Sequence, residues 1–224
     1  MSAACNLLTT FPLWWTHLVA FASGGAVFAA VFYFSGGLFT RVSPAFRCLD
    51  TKKQAEVRLH AAVGLTAGII SMSACYVILF GHLSLDMISK DVPIVRHTSA
   101  FDLGVLLAEL VISVSVPLTG PCTVGTFRTA SHHVLVVFGE IMSLVHGVVP
   151  YVVIFHHRMD LTAPPFRLRL ILKTLGVSRE APGYLPLWVG SLTLTLYIRV
   201  LVLPLYWHNF AFFILPQMDE IKRW

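Results

Sequence analysis

The first charged side chain in this sequence is Arg41, and the stretch before it is apolar apart from small and hydroxyl residues, Asn6 and His17. About 20 consecutive apolar residues cross the hydrocarbon core of a bilayer, so the run within Trp14 to Phe39 is long enough to span. A secretory signal peptide begins with a basic segment, which is lacking here, so this run reads as a retained span. Trp14 and Trp15 suit an interface. The Gly24-Gly25 and Gly36-Gly37 pairs permit a neighbouring helix to approach closely.

Further runs of the same kind follow, and composition agrees with them. The 224 residues are 56% hydrophobic and only 12% charged, against roughly 25% charged in soluble domains. Mean hydropathy is +0.77. The expected fold class is therefore all-α, a polytopic membrane helical bundle of about six transmembrane helices around an intramembrane cavity. The spans expected after the first are about Leu59 to Phe80, Asp102 to Val116, Thr129 to Val149, Pro150 to Thr174 and Leu185 to Leu205. The fifth turns polar and then basic through Arg167, Arg169 and Lys173, so it spans only if its polar half faces protein.

The formal charge of +5 raises nucleic acid as a partner, but the basic residues sit in short connections between apolar runs, where they set topology and meet anionic headgroups. No nucleic-acid binding is expected. The stretch Arg41 to Arg58 and the stretch Arg167 to Arg179 carry the basic excess, which places both on the cytosolic side. Cys5, Cys48, Cys75 and Cys122 show no metal spacing and read as free thiols. The histidines lack the clustered boxes of membrane di-iron enzymes, so neither a metal nor another cofactor is expected.

Against this apolar background stands Thr129 to Phe166, with His132, His133, Glu140, His146, His156, His157 and Asp160. Ionisable groups inside spans are costly in hydrocarbon, and they usually face a bundle interior or a water-filled cavity and serve a function. Glu109 and Arg199 are two more such groups in neighbouring spans. Adjacent His132 and His133 point about 100° apart on a helix, while Glu140, seven residues on, returns to the face of His133 at roughly 10 Å along the axis. His156 and Asp160 have the i,i+4 spacing of neighbours. Buried Glu109, Glu140 and Asp160 call for Arg199 or a histidine as partner. A structural polar network joining helices and a substrate site both account for such a cluster.

Several segments in order resemble the TLC (TRAM, LAG1, CLN8 homology) domain family, and within it the small TLC-domain-containing branch. Gly104-Val-Leu-Leu-Ala-Glu-Leu-Val111 resembles that branch's Gly-Tyr-apolar-apolar-small-Asp-Leu-Leu segment, with Val105 for the tyrosine and Glu109 for the aspartate. The His132-His133 pair, Gly147-Val-Val-Pro-Tyr151, Asp160-Leu-Thr-Ala-Pro-Pro-Phe166, Arg58 and Arg199 continue the likeness, which covers roughly Lys52 to Leu205. On this reading the chain divides into a first helix with the N-terminus (1–40), a TLC-like core (41–206) and a tail (207–224).

The resemblance implies an endoplasmic-reticulum membrane protein that binds a lipid or acyl chain in a polar intramembrane cavity and acts in lipid homeostasis. Glu109, Glu140, His156, His157 and Arg199 would line the binding site. The alternative it implies is a ceramide synthase-like, acyl-CoA-dependent acyltransferase with His132 and His133 as acyl-transfer residues and Asp160 as their support. In that comparison His156-His157-Arg158-Met159-Asp160 stands against a His-Asp-x-x-Asp segment, and His157 occupies the first acidic position.

Overall fold

The structure is a computed structural model that describes residues 3–80, 93–115, 133, 134, 136–141, 144, 145, 150–209, 211 and 212, with side chains from Trp14 onward and, after Pro150, from Val153. Helix makes up 92% of it and there is no strand among the described residues, which settles the all-helical class. The elements are α1 (Ala3–Val42), α2 (Pro44–Arg47), α3 (Thr51–Phe80), α4 (Pro93–Ser115), then helical residues within 133–145 that we label α5, then α6 (Pro150–Met159), a 3₁₀ turn (Asp160–Thr162) and α7 (Ala163–Thr174). The chain continues through α8 (Tyr184–Leu196), a π-helical stretch (Tyr197–Val202) and α9 (Leu203–Asn209).

Among the described residues, four helices are long and apolar enough to cross a membrane: Trp14–Val42, Thr51–Phe80, Pro93–Ser115 and Tyr184–His208. A bundle with four such helices is an integral membrane protein by length and composition. The element expected as a single fifth span is broken: α6 has 10 residues and α7 has 12, with the 3₁₀ turn between them. Pro164 and Pro165 cause the break, since proline is tolerated in the first turn of a helix but removes a donor and clashes in its interior.

Two other boundaries differ from expectation for identifiable reasons. The basic connection expected over 41–58 is mostly helix, because Asp50 caps α3. Its Oδ1 accepts the Lys53 backbone N–H at 2.8 Å, so Lys52, Lys53 and Arg58 ride on the first turns of α3. On the far side, α4 starts at Pro93, a residue suited to a first turn, so Asp102 lies within the helix instead of at its start. The turn expected at Pro117 to Pro121 falls outside the described residues.

Helix α3 is the centre of the bundle, in contact with α1, α4, α6 and α7. It qualifies because its buried face is made of small residues, among them Ala62, Gly64, Ala67, Ser71 and Ala74. Small residues let helices approach where lipid offers no hydrophobic drive for them to associate. A Cβ on Gly64 would lie 3.3 Å from Arg167 Cβ, and one on Gly68 3.6 Å from Pro164 Cγ, so α7 rests on these two glycines.

The α1/α4 contact is tighter still. A Cβ on Gly24 would run into the Phe101 carbonyl oxygen, and one on Gly104 into that of Phe21. Gly36 gives room to Arg58, with 3.3 Å left to its Cδ, whereas Gly37 faces open space. Phe28 and Phe32 of α1 fill the gap between Ala62 of α3 and Val105 and Ile112 of α4. At one end, Phe46, Val57 and Ile171 pack together, which brings the two basic stretches to the same end of the bundle. Phe155, Val202 and Tyr206 dock the last helix on α6, with the Phe155 and Tyr206 rings stacked at 3.9 Å.

Candidate functional site

Three helices that are distant in sequence each deliver one ionisable group to a common point. Asp102 comes from α4, Glu140 from α5 and His157 from the last turn of α6, and they keep only 6%, 2% and 1% of their surfaces exposed. His157 Nε2–H donates to Glu140 Oε1 at 2.9 Å and lies 3.7 Å from Asp102 Oδ2. The second distance exceeds hydrogen-bond range, so Glu140 is the direct partner and Asp102 an electrostatic one. Ser99, one turn before Asp102 on α4, turns its hydroxyl towards the Glu140 carboxylate.

Asp160 follows on the 3₁₀ turn and comes within electrostatic reach of Asp102, His157, Glu140 and Arg199. Reach of this kind also links His156 to Glu140. Arg199, expected to turn inward, is instead exposed. The buried positions of the last helix are Ser191, Ile198, Val202 and Tyr206, and Arg199, next to Ile198, is rotated away from that face.

A second polar chain runs along α3, α4, α5 and α7. Arg167 Nη1 donates to His60 Nδ1 at 3.1 Å, which leaves the His60 proton on Nε2, 3.6 Å from Glu56 Oε1. Glu109 lies within electrostatic reach of His133, Arg167 and Asp102. Asp102 and Glu109 are seven residues apart on α4, two turns along one face, and so connect the two groups.

Of the residues singled out from sequence, His133, Glu109, Glu140, His156, His157 and Asp160 belong to these two groups. His132 and His146 fall outside the described residues. Glu140 pairs with His157, not His133, because α6 packs closer to it than any residue 10 Å along its own axis; His133 has Glu109 nearby. Sequence reasoning passed over Asp102, placed at a helix start, and Arg167, read as a headgroup contact. The seven-residue spacing of Asp102 and Glu109 was the available signal for the first. For Arg167 the signal is weaker, since basic residues at span ends are common.

Chemically, the first group has an imidazole held by a carboxylate, the arrangement that orients a base or a ligand. Asp102, Glu140 and His157 each offer a ligand atom, and the three atoms lie within 4.8 Å of one another. The second group offers a guanidinium, a neutral imidazole and a carboxylate as hydrogen-bonding partners. No family model, no curated protein and no solved structure matches this chain.

Proposed function

We propose that this chain is a multi-pass membrane protein that binds a lipid or acyl chain at an intramembrane polar site and acts in lipid homeostasis, in the endoplasmic-reticulum membrane. One observation carries the reading: two connected groups of ionisable residues sit inside a bundle of apolar helices, where each such group is costly unless partnered or used. The residues matching the small TLC-domain branch support it, since Glu109, His133 and Asp160, which carry part of that likeness, all fall within these groups. In this proposal α5 and the broken α6–α7 element complete six spans around a cavity, and 41–206 forms the TLC-like core. Arg167, with five donors in a planar fork, grips a headgroup phosphate or carbonyl beside His60.

The test is to purify the full chain in mild detergent, extract what co-purifies and identify it by mass spectrometry. A defined lipid class near one per chain, reduced several-fold in Arg167→Ala and Glu109→Ala, is the expected result. The same lipid mixture at the same ratio in wild type, in both variants and in an unrelated membrane protein would end the proposal.

A second reading, an acyl-CoA-dependent acyltransferase similar to ceramide synthase, is favoured by the nearness of Glu109 to His133. An imidazole that accepts a proton or an acyl group needs an acid to orient it. Release of CoA from acyl-CoA in the presence of sphingoid bases or lysophospholipids, abolished by His132→Ala or His133→Ala, would establish this reading over simple binding.

A further inference from the structure

The first polar group has an excess of acid that its own side chains do not balance. Asp102, Glu140 and Asp160 are three carboxylates around a single buried imidazole, His157. The guanidinium within reach, that of Arg199, is exposed. These three carboxylates outnumber the imidazole buried among them, and the excess negative charge sits in a low-dielectric interior. A divalent cation with neutral His157 reduces it.

The donor atoms are arranged for such an ion. Cation–oxygen and cation–nitrogen bonds of about 2.0 to 2.2 Å place neighbouring ligands roughly 3 to 3.5 Å apart. His157 Nε2 is already 2.9 Å from Glu140 Oε1 and 3.7 Å from Asp102 Oδ2. Two further oxygens, Glu140 Oε2 and Ser99 Oγ, are buried and, apart from their approach to each other, have no hydrogen-bond partner among the described residues. Ser99 is fully buried, 0% exposed, with its hydroxyl directed at the Glu140 carboxylate. Buried polar atoms are rarely left unsatisfied in native proteins, and an unplaced ion is one of the standard explanations.

We infer that Asp102, Glu140 and His157 form a binding site for one divalent transition-metal cation, with Asp160 and Ser99 beside it. Two carboxylates and an imidazole suit Zn²⁺, Mn²⁺ or Fe²⁺; the nitrogen donor disfavours Ca²⁺ and Mg²⁺, which prefer all-oxygen shells. On binding, the Nε2–H bond of His157 breaks, its proton leaves to solvent, and the freed lone pair goes to the metal. One ligand per helix explains why no His-box spacing marks the site in the sequence. The ion would tie α4, α5 and α6 together, independently of any lipid.

The experiment uses the full chain in detergent, with any affinity tag removed. Metal content is measured by inductively coupled plasma mass spectrometry, and chelator-stripped protein is then titrated with Zn²⁺ alone and with Mn²⁺ alone. We expect about one equivalent bound, a rise in unfolding temperature, and proton release on binding. Glu140→Gln should weaken binding by more than about 100-fold, beyond the loss of a merely supporting group, while Glu180→Gln, exposed and outside both polar groups, leaves it unchanged. Stripped wild type that takes up neither ion overturns the inference, as does equal uptake by a folded Glu140→Gln. Should Glu140→Gln not fold, Co²⁺ added to stripped wild type decides: visible ligand-field bands displaced by one equivalent of Zn²⁺ support the site, and their absence refutes it. No lipid enters these readouts, so the metal site and the lipid-binding proposal stand or fall separately.

Discussion

His157 and Glu140, 17 residues apart, meet through a 2.9 Å hydrogen bond in which both side chains are all but inaccessible. The histidine has more to lose than its partner, because Asp102 and Asp160 are also within electrostatic reach of it. Removing one member of a buried pair typically costs about 3 to 5 kcal/mol. His157→Leu is therefore expected to destabilise the chain more than Glu140→Leu, because it takes the shared imidazole from three carboxylates where the other change removes one acid of three. Equilibrium unfolding in mixed micelles checks the order, and equal or reversed effects would show that Asp102 and Asp160 do not share in the interaction.

The α1/α4 seam predicts a contrast among glycines. Gly24→Ala and Gly104→Ala place a methyl group against backbone carbonyls, which cannot rotate away, and overpacking of this kind typically costs about 1 to 3 kcal/mol. Gly37→Ala meets nothing and should be neutral or gain up to about 1 kcal/mol, since alanine is the better helix former. Thermal unfolding of the three variants in one detergent measures the difference.

Arg58 joins α3 to α1 in two ways at once: Nε donates to the Phe32 carbonyl at 3.0 Å, and the guanidinium sits 4.3 Å from the centre of the Phe32 ring. Lysine carries the charge but not the planar fork or the stacking surface. Arg58→Lys should lose about 1 to 2 kcal/mol, close to the loss in Arg58→Gln. If lysine restores wild-type stability, charge alone accounts for the position.

The cap of α3 gives a pH dependence. The Lys53 backbone N–H is the main reason the exposed Asp50 carboxyl is held below its usual range. A depressed carboxylate contributes stability above its unfolded pKa of about 3.9 and loses it as the pH falls through the lower, folded value. Asp50→Ala should thus have a lower unfolding temperature than wild type at neutral pH, with the gap closing in acid. Asp50→Asn, which also caps, should show little change at neutral pH. A gap that stays constant down to pH values below about 3 would remove the ionised cap from the explanation.

Because Phe46, Val57 and Ile171 hold the two basic stretches together, 41–58 and 167–179 should lie on the same side of the membrane. Lys/Arg bias assigns that side to the cytosol. Glycosylation tags or protease protection that separate the two stretches would contradict both the packing and the charge rule.

Membrane residence was legible from composition and run length alone, since hydrocarbon admits few chains that are not helical and apolar over about 20 residues. The glycine pairs of the first run signalled close packing, and Gly24-Gly25 indeed meets α4 while Gly37 does not. The cost of an ionisable group in hydrocarbon also marked Glu109 and Glu140 as inward candidates. It did not reveal which helices face one another. The encounter of Asp102, Glu140 and His157 depends on how α4, α5 and α6 come together, a property of surfaces brought from distant parts of the chain. The exposure of Arg199 has the same origin. The helical repeat limits a residue to one face of its own helix, but whether that face meets protein or lipid is decided by the neighbours that pack there.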